Sequence, residues 1–207
     1  VCDRALEEAK WDLEAAEKSG YPHFMIKEIN EEPDAIVKTL RPRIKDGMPD
    51  FGIDALTDER LSKLTRIHVL ACGTAMHAGL VGKFAAESLA RVPVDVEIAS
   101  EFRYKNPILQ STDLAIIISQ SGETADTLAA LRLCKEHGVF TLGIVNVAGS
   151  TIAREADAVM YTWAGPEIAV ASTKAYTVQI SLMYLFALRL AYANGHLTEA
   201  QTKAYVD

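Results

Sequence analysis

The sequence predicts an α/β protein in which helices cover both faces of a five-stranded parallel sheet, a doubly wound arrangement. From residue 66 onward, short apolar runs alternate with amphipathic stretches of ten or more residues. This alternation is typical of β-α-β units, whose parallel strands are joined by helical crossovers. The run DLAIIIS at 113–119 is nearly continuously apolar, as a strand buried on both faces requires.

Helical segments precede the predicted sheet. Residues 1–20 are rich in charge and end at a glycine, which indicates a helical lead-in or linker. A helix is predicted over 23–30, and a second begins near Pro33, a favourable residue for a first helical turn. The apolar residues that we expect on one face of the first helix are Phe24, Ile26 and Ile29. A loop rich in Gly and Pro then leads to a short helix at 56–63.

Five strands and three long helices alternate in the rest of the chain. Strand patterns lie at 66–71, 94–99, 113–119, 139–145 and 158–162. Helical patterns lie at 75–90, 123–137 and 172–193. We therefore expect one domain over 21–195, followed by a C-terminal helix or linker at 196–207.

The composition narrows the functional classes. The 207 residues carry 21 Lys and Arg against 28 Asp and Glu, a net charge of −7, which argues against a nucleic-acid binder and against an anionic membrane surface as partner. No apolar stretch reaches the ~18–20 residues of a membrane span. The three cysteines (Cys2, Cys72 and Cys134) are far apart and no H-x-x-x-H pair occurs, so we expect neither a disulfide framework nor a metal site, and a reducing cytoplasm. Because the chain starts at Val1 without an initiator Met, we expect a piece of a longer protein.

The loop after the 113–119 strand has the composition of an anion site. It runs Ser-Gln-Ser-Gly-Glu-Thr from Ser119 to Thr124. Free backbone N–H groups at a helix start, together with hydroxyl donors, can bind a phosphate without a lysine, which suits an acidic chain. The same hydroxyls would also serve as ordinary helix caps, and the loop by itself leaves both interpretations open.

Two further loops are expected at the same edge of the sheet. The first, ACGTA at 71–75, repeats the order strand, glycine, hydroxyl, helix, but the chain has no Walker or G-x-G-x-x-G motif, which argues against nucleotide hydrolysis and dinucleotide binding. Cys72 could be a nucleophile at a helix N-terminus, although a packed small residue is favoured because no base partner is evident. The second, at 165–174, has Ser172 or Thr173 as a natural cap for the last helix and places Lys174 where the helix dipole disfavours a cation.

Four motifs, in this order, resemble one family. They are ACGT at 71–74, EIASEFRY at 97–104, SQSGETADT at 119–127 and VASTKA at 170–175. With YPHFMIKEI at 21–29 and LRPRI at 40–44, they resemble the glucosamine-6-phosphate synthases (glutamine–fructose-6-phosphate aminotransferases, isomerising). The resemblance runs over about residues 11–194 and is to the first of the two sugar-isomerase (SIS) domains in that family's isomerase half.

The resemblance implies a sugar-phosphate site. The residues that would hold the phosphate of fructose 6-phosphate or glucosamine 6-phosphate are Ser119, Gln120, Ser121 and Thr124. Those that would contact the sugar are Cys72, Gly73, Thr74, Val170, Ala171 and Ser172. The family often carries Ser where this chain has Ala75, which removes one hydroxyl ligand. No cofactor and no metal are expected.

The resemblance also implies an activity for the whole enzyme, the conversion of fructose 6-phosphate and glutamine into glucosamine 6-phosphate and glutamate. The family's catalytic groups lie in later parts of the enzyme, which also has a glutaminase domain and a second SIS domain. Catalytic residues are therefore left unassigned, with Glu123 interpreted as structural, and this chain by itself is expected to bind the sugar phosphate without turnover. We further expect a cytoplasmic homodimer without nucleic-acid or membrane partners. The alternatives are a stand-alone SIS phosphosugar isomerase or deaminase, and a non-catalytic sensor of sugar phosphates.

Overall fold

The computed structural model describes residues 17–207. The α-helices in that range are α1 (Phe24–Asn30), α2 (Glu32–Leu40), α3 (Asp58–Ser62), α4 (Thr74–Leu89), α5 (Ala99–Phe102), α6 (Ala125–Glu136), α7 (Thr151–Glu155), α8 (Lys174–Ala193) and α9 (Glu199–Val206), and a 3-10 turn at Arg41–Arg43 follows α2. The strands in that range are β1 (Ile44–Lys45), β2 (Met48–Pro49), β3 (Arg66–Ala71), β4 (Val94–Ile98), β5 (Asp113–Ser119), β6 (Phe140–Val145) and β7 (Ala158–Tyr161). Residues 1–16, which hold Cys2 and most of the predicted lead-in, lie outside the described residues.

Five strands form one parallel sheet in the order β4-β3-β5-β6-β7, which confirms the predicted fold class. The central strand β5 is buried along its whole length, in keeping with its apolar sequence. The chain runs outward from β3 to β4 and then crosses back to β5 on the other side of β3. Such a reversal of strand order opens a crevice beyond the carboxyl ends of the two strands, where ligands of parallel sheets bind.

Helices cover both faces of this sheet. On one face α4 and α8 pack against the cluster that contains Val69 and Ile116, and on the other α6 packs against Leu70 and Ile117. Neighbouring residues of one strand belong to different clusters because side chains alternate between the faces of a sheet. Helix α4 approaches the sheet closely at Gly79, where an added Cβ would lie 2.6 Å from Cγ1 of Val69. This close approach fixes where the first turn of α4 meets the crevice.

Helix α1 buries charged residues and exposes apolar ones. Phe24 is half-buried, whereas Ile26 and Ile29 are exposed, and the residues that α1 buries are Lys27 and Glu28. The face that was expected to carry the apolar residues is therefore not the face that α1 buries. Charged residues are buried only where polar partners compensate their lost hydration, and both residues have such partners.

The boundaries of several elements also differ from prediction. Helix α6 begins at Ala125 and α8 at Lys174, each two residues later than expected. A hairpin joins β1 and β2 where a loop was predicted, because Asp46 and Gly47 both take positive φ (54° and 76°) in a tight turn. The five-residue helix α7 and the four-residue helix α5 were not predicted, since elements so short carry no periodic signal.

Helix α9 lies in the segment for which a helix or linker was predicted. It begins with a capping box, in which the side chain of Thr198 accepts from the N–H of Gln201 (3.3 Å) and the side chain of Gln201 accepts from the N–H of Thr198 (2.9 Å). These reciprocal bonds satisfy two backbone donors that a helix start otherwise leaves unpaired.

Candidate functional site

The turn after β5 is held together by its own hydroxyl groups. Ser119 Oγ accepts a hydrogen bond from the N–H of Gly122 (3.1 Å) and lies 3.0 Å from Thr124 Oγ1. Ser121 Oγ accepts from the N–H of Glu123 (3.2 Å). Gly122 takes a φ of 67°, and an added Cβ there would overlap the side chain of Ser150. The turn therefore requires glycine at this position.

These bonds leave hydroxyl protons available to a ligand. A hydroxyl carries one O–H donor and two acceptor lone pairs. Ser121 uses an acceptor for Glu123 and keeps its proton, and between Ser119 and Thr124 one proton bridges the two oxygens while the other stays free. Thr124 stands at the N-cap of α6 but makes no side-chain capping bond. The turn thus offers two O–H donors beside the free N–H groups that begin α6.

Glu123 has a structural partner outside the crevice. Its Oε1 accepts from the N–H of Thr151, the first residue of α7, at 2.7 Å. Hydrogen bonds from the side chain and the backbone of Thr151 lower the pKa of Glu123 below its ordinary value. This carboxylate positions the start of α7, in agreement with its interpretation as structural.

The loop after β3 brings a second helix start to the crevice. Gly73 occupies the N-cap of α4 with φ 59° and ψ −137°, and Thr74 is the first helical residue. Cys72 is half-buried, and its Sγ lies 3.9 Å from Thr127 Oγ1, which donates to it. A threonine hydroxyl is no general base at neutral pH, so this contact favours a packed small residue over a nucleophile.

Glu167 organises the loop before α8. Its Oε1 accepts from the N–H groups of Thr173 (2.9 Å) and Ala175 (3.1 Å), and its Oε2 accepts from the hydroxyl of Ser172 (3.0 Å). Thr173 is the N-cap residue, yet its own Oγ1 is buried without a hydrogen-bond partner in the structure. The expectation that Ser172 or Thr173 is the N-cap residue of α8 is met by Thr173, but the helix N–H groups are accepted by the carboxylate of Glu167 and not by the threonine hydroxyl.

Lys174 finds its counter-ion on the segment between α1 and α2. Its Nζ lies 2.6 Å from Glu31 Oε2, and its side chain is only 4% exposed. Lys27 Nζ lies 3.5 Å from Glu31 Oε1, so Glu31 bridges two cations. This pairing explains a lysine in the first turn of a helix, where the dipole by itself disfavours a cation. It also fixes the start of α8 to the lead-in helices.

A cavity of about 290 Å³ lies between the three loops. The predicted site residues that line it are Cys72, Thr74, Ser119, Gln120, Ser121, Thr124, Val170 and Ser172. The predicted residues that do not line it are Gly73 and Ala171. The further lining residues are Ala75, Ile118, Glu167, Ala169 and Gln179. The three loops that the sequence singled out thus enclose one space.

The described residues that line the cavity include no Lys or Arg, so a ligand there would be held by hydroxyl and N–H donors. Glu167 is the only charged residue among the described residues that line it, and its oxygens are bonded to the start of α8. A larger cleft of about 450 Å³, lined in part by Arg60, Lys63 and Thr112, lies at the opposite edge of the sheet. The smaller cavity is the candidate site because it lies at the carboxyl ends of β3 and β5, where helix starts converge.

None of the helices described between residues 17 and 207 is both long and apolar enough to cross a membrane. Over the same part of the chain, no group of three or more His, Cys, Asp or Glu side chains is placed to hold a metal ion.

The model of the SIS domain family matches residues 60–189, more than half of the chain. The chain belongs to the SIS domain family. Two glutamine–fructose-6-phosphate aminotransferases (isomerizing) are similar to this SIS protein: that of Caldanaerobacter subterraneus subsp. tengcongensis is 56% identical over 96% of the chain, and that of Clostridium tetani is 54% identical over 96%. The chain spans about a third (33%) of the length of these relatives.

A solved aminotransferase structure is also similar to this chain. The C-terminal domain of glucosamine-fructose-6-phosphate aminotransferase from Francisella tularensis superposes on this SIS protein with a TM-score of 0.86 and 42% identity, over 92% of this chain and 53% of that one. Together with the sequence relatives, it confirms the resemblance that the four motifs indicated.

The motifs missed part of the cavity lining of this SIS protein. Ile118 lies in the predicted strand at 113–119 and Ala169 within the predicted loop at 165–174, and the family motifs give neither a role. Gln179 lies further along α8 and is 3% exposed. The sequence shows a glutamine between the apolar residues Val178 and Leu182 of a largely apolar helix. In the structure both of these residues are buried, so Gln179 is a polar position on a buried stretch of α8.

Proposed function

We propose that this chain is the sugar-phosphate-binding SIS domain of a glutamine–fructose-6-phosphate aminotransferase, and that its cavity holds fructose 6-phosphate or glucosamine 6-phosphate. The observation that carries the proposal is the turn after β5. There, two hydroxyl protons and the start of a twelve-residue helix lie at one wall of the cavity.

The chemistry of this turn supports a phosphate as the anchored group. A dianionic phosphate needs only donors, and a helix start supplies N–H groups together with a partial positive charge. Ser119, Ser121 and Thr124 add hydroxyls that the fold has already positioned, so little ordering is needed on binding. The rest of the sugar would then extend toward Thr74 and the loop of Val170 and Ser172, which line the same cavity.

The cavity accounts for substrate binding but not for the acid, base and ammonia that the reaction of the whole protein needs. Glu167 is the only ionisable carboxylate among the described residues lining it, and its oxygens are engaged at the start of α8. Amino transfer to a ketose and proton movement between neighbouring carbons require an acid, a base and an ammonia source. We propose that a glutaminase domain and a second SIS domain of the whole protein supply them, and that the protein is a cytoplasmic homodimer.

The comparisons favour this function over the stand-alone isomerase, deaminase and sensor alternatives. The aminotransferases match 96% of the chain at 54–56% identity. A putative phosphosugar isomerase from Silicibacter pomeroyi is 27% identical with a TM-score of 0.67. The higher identity extends over the lead-in helices as well as the sheet, and these helices hold the third loop of the site.

The proposal is tested by titrating fructose 6-phosphate into the complete natural protein that contains this chain, followed by calorimetry. Ser121→Ala and Thr124→Ala each remove a hydroxyl from the turn. Loss of one hydrogen bond to a charged group is expected to weaken binding by about 10- to 100-fold. Ser111→Ala is the matched control, because Ser111 is exposed and lines the cleft at the opposite edge of the sheet.

Urea unfolding of each variant separates lost binding from lost structure, since Ser121 also accepts a backbone hydrogen bond within the turn. Unchanged affinity in both variants would overturn the phosphate site, and so would an equal loss in the Ser111→Ala control. Failure of the natural protein to bind fructose 6-phosphate would overturn the proposed function itself.

A further inference from the structure

Gln179 is a buried polar side chain that the fold itself does not satisfy. It is 3% exposed and lines the cavity. Within residues 17–207, its carboxamide makes no hydrogen bond, although it carries two N–H donors and an acceptor oxygen. None of its polar atoms is among those that are fully enclosed without a partner, so the carboxamide opens onto the cavity. The carboxamide is therefore free to bond to whatever occupies the cavity, water in the empty protein or a ligand when one is bound.

Gln179 lies on α8, whereas the turn after β5 leads into α6. It lies five residues beyond Lys174, the first residue of α8, which places it about 7.5 Å further along the helix axis. Ala75 and Ile118 line the same cavity and offer no side-chain hydrogen-bonding atom.

A carboxamide has both donors and an acceptor, so it suits a hydroxyl group better than a phosphate oxygen. A phosphate oxygen is only an acceptor, so it is repelled by the Oε1 of a glutamine even where it attracts the Nε2 group. A sugar hydroxyl both donates and accepts, and it can bond to both ends of the carboxamide. The hydroxyl-rich turn after β5 already provides donors for the phosphate.

We infer that Gln179 is a ligand-binding and specificity residue of this site, and that its carboxamide binds a hydroxyl on the carbon chain of the sugar phosphate. The inference rests on the proposed function, because it takes a sugar phosphate as the occupant of the cavity. Gln179 then discriminates sugar phosphates from phosphate compounds that lack a hydroxyl at that place. A residue of α8 thus contacts the sugar, while the turn that begins α6 contacts the phosphate.

The test compares Gln179→Met with the natural protein, using the complete protein that contains this chain and two probes, fructose 6-phosphate and inorganic phosphate. Methionine keeps the length of the side chain and removes its hydrogen bonds. We expect the affinity for fructose 6-phosphate to fall about 5- to 15-fold, as for one or two neutral hydrogen bonds, and the affinity for inorganic phosphate to stay within about twofold. Gln110→Met, at an exposed position remote from the cavity, is the control.

Urea unfolding in the absence of ligand gives a readout that separates a ligand contact from a structural role. Because the carboxamide has no partner in the described part of the chain, replacing it with an apolar side chain is expected to leave the free energy of unfolding unchanged or to raise it. Lower stability in Gln179→Met would show that the amide serves the fold and would overturn the inference.

The remaining outcomes also decide between the two proposals. Unchanged affinity for fructose 6-phosphate in Gln179→Met overturns the role of Gln179 and leaves the proposed function standing. An equal loss for both probes places Gln179 at the phosphate and overturns the hydroxyl assignment. Absence of fructose 6-phosphate binding in the natural protein overturns the proposed function, and the inference falls with it.

Discussion

The carboxylate of Glu28 in α1 accepts hydrogen bonds from the backbone N–H of Ala169, 141 residues further along the chain, at 3.2 and 3.3 Å from its two oxygens. Its Oε1 also accepts from the N–H of Ile168 at 2.6 Å. Glu28 is 2% exposed. A buried carboxylate that accepts backbone N–H groups fixes a loop firmly, because charge-assisted hydrogen bonds are about twice as strong as neutral ones. The third loop of the site is thus set by a helix that does not line the cavity.

Glu28→Gln is expected to loosen this loop. It replaces one acceptor oxygen with an NH2 group that faces other donors, and the free energy of unfolding should fall by about 2 kcal/mol, as for one charge-assisted hydrogen bond. The affinity for fructose 6-phosphate should fall as well, because Val170 and Ser172 lie in the loosened loop. Urea unfolding and calorimetry measure the two effects, with exposed Glu136→Gln on α6 as control. Full stability together with full affinity would refute the supporting role.

The ion pair between Glu31 and Lys174 should respond asymmetrically to mutation. The side chain of Lys174 is 4% exposed and that of Glu31 is 33% exposed. Glu31→Gln leaves a buried ammonium without its counter-ion and is expected to cost about 3 kcal/mol of stability, whereas Lys174→Met should cost less because Glu31 keeps Lys27 and partial hydration. A double-mutant cycle in urea measures the coupling, and equal costs for the two single variants would contradict the expected asymmetry.

The two described cysteines should differ sharply in reactivity. Burial, with the nearby charges of Asp113 and Glu97, raises the pKa of Cys134 to about 12, so its thiol stays protonated at ordinary pH. Since the thiolate is the reactive form, iodoacetamide should not modify Cys134 in the folded protein. Cys72 is half-buried in the cavity lining and should react, more slowly when fructose 6-phosphate is bound. Mass spectrometry in a Cys2→Ser background measures both sites, and modification of Cys134 without urea would contradict its burial.

The contact between Glu123 and Thr151 predicts a pH-dependent contribution to stability. The hydrogen bonds from Thr151 lower the pKa of Glu123 below its ordinary 4.5 in the folded protein. A carboxyl group with a lowered folded pKa stabilises the fold above its unfolded pKa and loses that contribution as the pH falls through the folded value. Glu123→Gln should therefore reduce the free energy of unfolding near pH 7, and its difference from the natural protein should shrink below pH 4.5. A difference that does not change with pH would show that the charge of Glu123 is not involved.

The fold was largely predictable because its signals are local. Each of the five sheet strands is a run of apolar or alternating residues, and each long helix carries an apolar face, so period and length suffice to place them. The starts of α6 and α8 were set two residues too early. Before α8, Glu167 accepts from the N–H groups of Thr173 and Ala175, whereas before α6, Glu123 accepts from Thr151 at the start of α7. The Asp-Gly pair at 46–47 was a readable hairpin signal.

The site was predictable only in part. The three loops could be identified because strand ends in a parallel sheet meet at one edge. The support from Glu28 and Glu31 could not, since it joins residues some 140 positions apart and has no periodic pattern in the sequence. Gln179 was missed because it belongs to no loop motif. A buried polar side chain becomes informative only when its lack of partners is known.

The burial of charged residues in α1 has a consequence for how this protein can be dissected. The family match begins at residue 60, after α1 and α2 have ended. A shortened chain that starts there would keep all five sheet strands and the turn after β5, but would lose Glu31, the counter-ion of Lys174, and Glu28, which holds the loop before α8. The family match is therefore shorter than the stretch of chain needed for a stable site, which begins at α1.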